Sequence, residues 1–538
     1  MVRPSRTLLF FVITLSFLAL LMLVFPKDGI KINKDITLFF PDFEDFFAEY
    51  YVIQKDSTDS SKIIFSIDKD LSAIEEDTLE YVSHEEIVDS SVYSFKPRAI
   101  MTDSIRQPLE LPASGLACLQ PLFAALTNPD ELKHVVRIMH YGDSQIETDR
   151  ITNYLRYKLQ QQFGGSGPGL IPAKTAYGYK SPCEVINEGE WTRYTVFPKI
   201  DTAVGHSRYG VLAAFGMFSP LKKKTLETQP AEKKDTINTT DSTSEVAAQE
   251  EQLQEETLPV EIQQEVVDNQ TVYKGSLTII PSPIARAGVK QIKKCRMLYG
   301  NCPEAFEARV YDGENLLFAE KLRAENFYTT KLWNFDTPPS TLKFEFSAKQ
   351  SPEIYGFALD GLSGVAVDNI ALRGCSGTIF TMINGKMLAQ MYKELNVKCA
   401  ILQFGGNAVP YMTEEKLNGF KNSFAAQIRY LKKLCPDMAI IVVGPADMSE
   451  KVQDKYQTYE ILPAVVEALK TAALNNNCAF WDMYAAMGGE NTMPDWVYHD
   501  PQLAEKDFVH FTPNGANVMA RMLYSAIISR YNEYIRKK

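Results

Sequence analysis

The chain has 538 residues, 45% of them hydrophobic and including 30 Phe and 26 Tyr, which is enough for a sizeable core and predicts two or three structural units. Its formal net charge of -11 excludes the concentrated positive field that phosphate binding requires, so no nucleic-acid partner is expected.

Arg3 and Arg6 precede an uncharged run from Leu8 to Phe25, interrupted only by Thr14 and Ser16 and followed by Lys27 and Asp28. At helical rise the run spans roughly 27 Å, close to the hydrocarbon thickness of a bilayer. No small-x-small cleavage pattern ends it, and no cysteine near its end offers a lipid site. The expectation is one uncleaved N-terminal transmembrane helix, with a cleaved signal as the alternative. The remainder then faces the periplasm or exterior of a bacterial envelope, although Lys27, Lys31 and Lys34 weigh against that orientation.

Residues 26–108 are acidic and irregular, with clusters such as Asp56-Ser57-Thr58-Asp59-Ser60-Ser61. They read as a stalk, with ordered structure beginning near Leu109. The run from His134 to Met139 reads as a buried strand that ends at Tyr141-Gly142-Asp143-Ser144. A helix follows it, with Ile146, Ile151, Tyr154, Leu155 and Leu159 near one face. The glycine-rich segment 164–169 breaks that pattern.

Between about residues 173 and 364 the texture changes to short alternating runs, such as Ala308-Arg309-Val310-Tyr311 and Leu342-Lys343-Phe344-Glu345-Phe346. Turn residues separate them, which predicts an inserted antiparallel β-sandwich-like domain. Inside it, residues 225–269 lack aromatics and are rich in Glu, Gln, Thr and Asp, which predicts a disordered loop. From Val365 strands and helices alternate again. Strands are expected at Cys399 to Phe404, Met438 to Val443 and Ala479 to Met483. Helices are expected at Thr378 to Leu395, Glu414 to Lys433, Leu462 to Asn475 and Pro513 to Tyr531. Such alternation implies a parallel sheet in a three-layer α/β/α domain, built from residues 109–172 and 365–538, with its sites at the carboxyl ends of the strands.

Four segments fall at those ends or just before a helix: Gly142-Asp143-Ser144, Gly374-Cys375-Ser376-Gly377, Gly405-Gly406-Asn407 and Asp507-Phe508-Val509-His510. A serine on a strand-to-helix turn presents its hydroxyl at the sheet edge, and it needs a neighbouring base to become a nucleophile. Histidine serves as that base near neutral pH, and a carboxylate behind the imidazole fixes its tautomer. Ser144, His510 and Asp507 are therefore the candidate triad. The backbone N–H groups of Ser144 and Gly374 and the side-chain amide of Asn407 are candidate oxyanion donors, each worth roughly 3–4 kcal/mol of barrier.

This constellation resembles the SGNH (GDSL-type) hydrolase superfamily: Ser144 in Gly-Asp-Ser, Gly374 in the second block, Asn407 in Gly-x-Asn, and Asp507 with His510 in Asp-x-x-His. Gln145 stands where the GDSL name would place leucine. A β domain between the first and second blocks is similar to the arrangement in bacterial peptidoglycan O-acetylesterases. The resemblance implies a serine esterase that removes O-acyl groups, chiefly acetyl, from envelope or extracellular carbohydrate. Its partner would be an acylated polysaccharide. An O-acetyltransferase with the same triad and a catalytically silent glycan-binding protein are the alternatives.

Other groups read as structural. Asp143 is expected to brace the nucleophile turn, His140 to point into packing or shape the site, and His84 and His134 to be solvated or structural. His499 and Asp500 form a second pair on a loop with Trp496, suited to a substrate wall or a base. Tyr311, Phe327, Tyr328 and Trp333 suit sugar stacking, with core packing the default. The eight cysteines show no zinc-type spacing, and neither a metal nor another cofactor is expected. Cys295 and Cys302 are near enough in sequence for a disulfide, and the other six read as buried thiols.

Overall fold

The computed structural model describes residues 30–31, 37–38, 100, 105–179, 181–221, 271–283 and 285–538. The expected membrane helix from Leu8 to Phe25, nearly all of the expected stalk, His84 and the 225–269 loop lie outside the described residues. Among the described residues no helix is long and apolar enough to cross a membrane. In the N-terminal unit, residues 1–65, Ile30–Lys31 pairs antiparallel with Thr37–Leu38.

The second unit, residues 66–538, is built around a five-stranded parallel sheet. Its strands are β1 (Val135–Gly142), β2 (Gly364–Ala371), β3 (Val397–Gln403), β4 (Ala439–Val443) and β5 (Ala479–Trp481), in the order β2-β1-β3-β4-β5. All eight residues of β1 are buried, as expected for a central parallel strand covered on both faces. Met139 and Tyr141 share a core with Met387 and Leu388 of α3 (Gly385–Glu394), Phe424 of α4 (Glu414–Leu434) and Leu469 of α5 (Leu462–Asn475). The opposite face is covered by α2 (Arg150–Phe163), along which α6 (Pro513–Lys537) packs, and α1 (Gln120–Leu126) contacts β3 and β4.

Two details depart from the sequence expectation. Strand β2 includes Asp368 and Asn369, which break its apolar run. Asp368 is nevertheless fully buried, because Arg137 of β1 donates to it at 2.5 Å and also pairs with Asp360. The helix expected from Thr378 starts only at Gly385. Asn384 caps it by accepting from the Met387 N–H at 3.0 Å, and Phe380–Met382 forms a separate 3-10 turn.

Between β1 and β2 the chain forms two antiparallel sheets. One contains Asn315–Leu322, Phe306–Asp312, Leu342–Ala348, Tyr273–Pro281 and Cys183–Glu188; the other contains Thr329–Asn334, Lys294–Gly300, Glu353–Asp360, Ala214–Met217 and Thr192–Thr195. Gly169–Ile171 also pairs with Glu353–Asp360. The sheets meet through apolar side chains such as Phe344 and Phe357, whose rings lie 4.7 Å apart. The second sheet also packs on the parallel-sheet side: Tyr194, Phe215 and Tyr355 share a core with Tyr141 and Met391. The Tyr141 hydroxyl lies 3.0 Å from both the Val211 carbonyl oxygen and the Tyr392 hydroxyl.

Cys295 and Cys302 do not form a disulfide: both thiols are free and fully buried, as parts of the module core. Trp333 and Tyr328 are likewise core residues.

Candidate active site

Strand β1 ends at Gly142, where a Cβ would come within 2.9 Å of Ile146 Cδ1 and 3.0 Å of the Gln403 carbonyl oxygen. That tight approach carries the chain directly into Asp143 and Ser144. The Asp143 carboxylate accepts from the Gln145 N–H at 3.0 Å and caps a 3-10 turn, Ser144–Asp149. Within the turn Glu147 is extended, and Thr148 and Asp149 are left-handed, with φ of 55° and 64°. A buried ion pair holds this unusual backbone: Arg156 of α2 donates to Asp149 at 2.6 and 2.9 Å. The turn is therefore fixed by its neighbours rather than by its own propensity.

The histidine arrives on the loop before α6. Asp507 Oδ1 accepts from the Val509 N–H at 3.0 Å and the His510 N–H at 2.9 Å, while Oδ2 accepts from His510 Nδ1 at 2.7 Å. Between them, Phe508 adopts a left-handed φ of 58°, and its buried ring stacks on Tyr456 at 3.5 Å. His510 Nε2 lies 2.7 Å from Ser144 Oγ. With Nδ1–H engaged by the carboxylate, Nε2 is the acceptor for the serine proton. Burial raises the Asp507 carboxyl, but hydrogen bonds from the His510 ring and from the two loop amides outweigh it and bring the pKa down to about 2.

Gln145, in the place of the GDSL leucine, does more than fill that position. Its side chain ties the two halves of the site together: Nε2 donates to the Val509 carbonyl at 2.5 Å, and Oε1 accepts from the Phe511 N–H at 3.4 Å. The signal available in the sequence was a polar amide at a junction otherwise written in glycine and small residues.

Asn407 sits in the 3-10 turn after β3, Gly406–Tyr411, and its amide donates to the Cys375 carbonyl at 3.4 Å. The same amide faces Asp143. Burial raises the Asp143 carboxyl to about 6, against the opposing pull of the Gln145 amide, His510 and Asn407. Ser144, Asn407 and His510 line one cavity of about 210 Å³, together with Asp143, Tyr411 and Met448. Gly374 and Asp507 are not in its wall. Gly374 has a φ of 79°, and a Cβ there would lie 3.7 Å from the Phe197 ring, beside a second cavity of about 150 Å³.

The remaining sequence candidates lie elsewhere. His140 is fully buried; its Nε2–H donates to Gln403 Oε1 and its Nδ1 accepts from the Thr152 hydroxyl, both at 3.0 Å. Burial pushes its pKa down to about 4, so it is a neutral packing group. His499 Nδ1 bonds the Pro501 carbonyl oxygen at 2.9 Å, and His134 is exposed. Among the described residues no group of three or more His, Cys, Asp or Glu side chains has the arrangement to hold a metal.

Comparison with known proteins adds to this geometry. Residues 346–518 match the GDSL-like Lipase/Acylhydrolase family. No curated protein matches the chain. Among solved structures, the fold is similar to a peptidoglycan O-acetylesterase at a TM-score of 0.53 and 15% identity, over 80% of this chain and 99% of that one. A family two carbohydrate esterase from Clostridium thermocellum aligns at a TM-score of 0.21 and 10% identity, over 47% of this chain and 90% of that one. The acetyl xylan esterase AlAXEase aligns at a TM-score of 0.23 and 17% identity, over 30% and 81%.

Proposed function

We propose that this chain, whose residues 346–518 match the GDSL-like Lipase/Acylhydrolase family, is a carboxylic ester hydrolase, a serine esterase removing O-acetyl groups from carbohydrate, with Ser144, His510 and Asp507 as its triad. The observation that carries this reading is the unbroken relay of two 2.7 Å contacts, Ser144 Oγ to His510 Nε2 and His510 Nδ1 to Asp507 Oδ2.

In this reading Ser144 Oγ attacks the acetyl carbonyl carbon while His510 Nε2 takes its proton. The negative charge moves to the carbonyl oxygen, where the N–H groups of Ser144 and Gly374 and the Asn407 amide receive it. Collapse expels the sugar oxygen, which takes the proton back from His510 and leaves an acetyl-serine. Water then gives its proton to His510 and attacks the acetyl-serine; release of acetate returns the proton to Ser144. Asp507 stays ionised throughout, as a carboxyl with a pKa near 2 must at neutral pH. The carbohydrate substrate rests on the fold shared with the peptidoglycan O-acetylesterase and on the antiparallel strands that contribute Val185 and Arg193 to the neighbouring cavity. The reading also keeps residues 173–364 as a sugar-binding insert, and an envelope location through the uncharged run from Leu8 to Phe25.

The test is hydrolysis of p-nitrophenyl acetate and of O-acetylated glycan by the full-length chain, beside Ser144→Ala and His510→Ala. Loss of at least about a thousandfold in kcat is expected in each variant. Full activity in Ser144→Ala would remove the proposed nucleophile.

A further inference from the structure

The cavity of about 150 Å³ lies beside the nucleophile turn and is lined by Glu147, Tyr177, Tyr179, Arg193, Phe197 and Arg373, among others. Both cavities meet the carboxyl edge of the parallel sheet. The Ser144 cavity lies over β3 and β4 (Gln403, Pro445), and this one lies over β2 (Ala371, Leu372). The turn after β1 stands between them, with Ser144 in one wall and Glu147 in the other. Gly374 follows Arg373 directly and abuts Phe197 of the same wall. A substrate whose ester reaches Ser144 therefore has this cavity on the other side of the same turn.

The charges in this cavity do not balance. Arg373 is committed: its Nε donates to the two Glu147 oxygens at 2.8 and 3.0 Å and its Nη2 donates at 2.5 Å, while its guanidinium lies 4.2 Å from the centre of the Tyr177 ring. Tyr179 adds a hydroxyl donation to Glu147 at 2.6 Å. That carboxylate is thereby satisfied. The guanidinium of Arg193, from the antiparallel strand Thr192–Thr195, has no carboxylate and no side-chain hydrogen-bond partner among the described residues. Burial lowers its pKa, and only Tyr177 and Tyr179 act electrostatically against that. A half-buried guanidinium held without a counter-charge is costly, and an incoming anion relieves the cost. The cavity keeps this surplus positive charge in a chain of net charge -11.

We propose that this cavity is a subsite for a carboxylate-bearing sugar, and that Arg193 reads the carboxylate through its planar fork of donors. The proposal rests on the esterase reading for its placement beside the scissile ester. It gives the antiparallel module a part in specificity, since the guanidinium comes from its strand. A neutral sugar would leave that guanidinium unpaired and be discriminated against.

The test uses matched sugar pairs that differ in one carboxylate: methyl glucuronoside against methyl glucoside, and N-acetylmuramic acid against N-acetylglucosamine. Binding of the free sugars to the full-length chain is measured by calorimetry, and kcat/KM is measured on their mono-O-acetylated forms. We expect the wild type to favour the acidic member of at least one pair by about tenfold or more. Whichever pair shows the preference distinguishes a ring carboxylate from a lactyl ether carboxylate. Arg193→Gln should bring that ratio close to one, and Arg193→Lys should retain part of it. Because the readout is a ratio, partial misfolding of a variant does not imitate the result. Equal binding within both wild-type pairs, or a preference unchanged in Arg193→Gln, overturns the proposal. Absence of p-nitrophenyl acetate hydrolysis by the wild type counts against the esterase reading alone, because the binding measurement does not require turnover.

Discussion

Gln145 holds Val509: the side chain that follows Ser144 donates to the carbonyl of the residue before His510, at 2.5 Å. Ser144 and His510 are 366 positions apart in the chain, and this amide joins their two loops.

Gln145→Leu, which restores the leucine of the GDSL name, should therefore misplace His510. We expect kcat on p-nitrophenyl acetate to fall by roughly ten- to a hundredfold, the scale of a small displacement of a catalytic group. The Val509 carbonyl and the Phe511 N–H would also lose a partner, lowering stability by about 1–3 kcal/mol. Steady-state kinetics and urea unfolding on the same preparation check both. Unchanged kcat would show that the His510 loop is positioned without the clamp.

Asp507→Asn should lower kcat by about 10²–10⁴-fold, by removing the carboxylate that fixes the His510 tautomer. It also carries a pH signature. The folded carboxyl sits at about 2, below its unfolded value near 3.9. The contribution is thus fully present above the unfolded pKa and lost as pH falls towards 2. The stability difference between wild type and variant should be flat from neutral pH to about pH 5 and shrink below pH 4. Equilibrium unfolding at a series of pH values reads this directly.

Asp143 has the opposite sign. Burial holds its folded carboxyl at about 6, so the native state keeps a proton that the unfolded chain has already released. Stability is greatest below the unfolded pKa and declines as pH rises through about 6, by up to about 3 kcal/mol. Asp143→Asn retains an acceptor for the Gln145 N–H and lacks the titration. Relative to this variant, the wild type should lose stability between pH 4 and pH 7. A difference independent of pH would mean that the carboxyl ionises normally.

Arg137→Ala should destabilise the fold by about 3–5 kcal/mol, because it strands two buried carboxylates, Asp360 and Asp368. Denaturant midpoints, or failure to recover folded protein, are the readout. A loss below about 1 kcal/mol would show that the pair is replaceable.

Much of the fold could be read from local pattern. The runs Val135-Val136 and Ile440-Ile441-Val442-Val443 are continuous and apolar, and Thr512-Pro513 marks the start of α6 with a cap hydroxyl that accepts from the Gly515 N–H. Strand β2 escaped notice because its polarity is explained by Arg137, 231 residues away from Asp368. The helix starting at Gly385 was placed too early because Asn384, an apt cap, lay inside an otherwise periodic run. Within the site, Asp507 and His510 were legible because one loop carries both. The Glu147–Arg373 pair was not, since its members are 226 residues apart and meet only through the edge pairing of β1 and β2. The role of Gln145 is hard to read from the sequence because its partners are backbone groups.

The Tyr141 hydroxyl, two residues before Asp143, bonds into the Val211 segment, and Arg137 on the same strand is tied to Asp360. A designer trimming this protein to a smaller catalyst would find no seam there. Deleting the sheets between β1 and β2 would strip a counter-ion and a hydroxyl acceptor from the strand that leads to Ser144. Swapping in a foreign module would demand the same two atoms in the same place, so this module is better altered residue by residue than replaced whole.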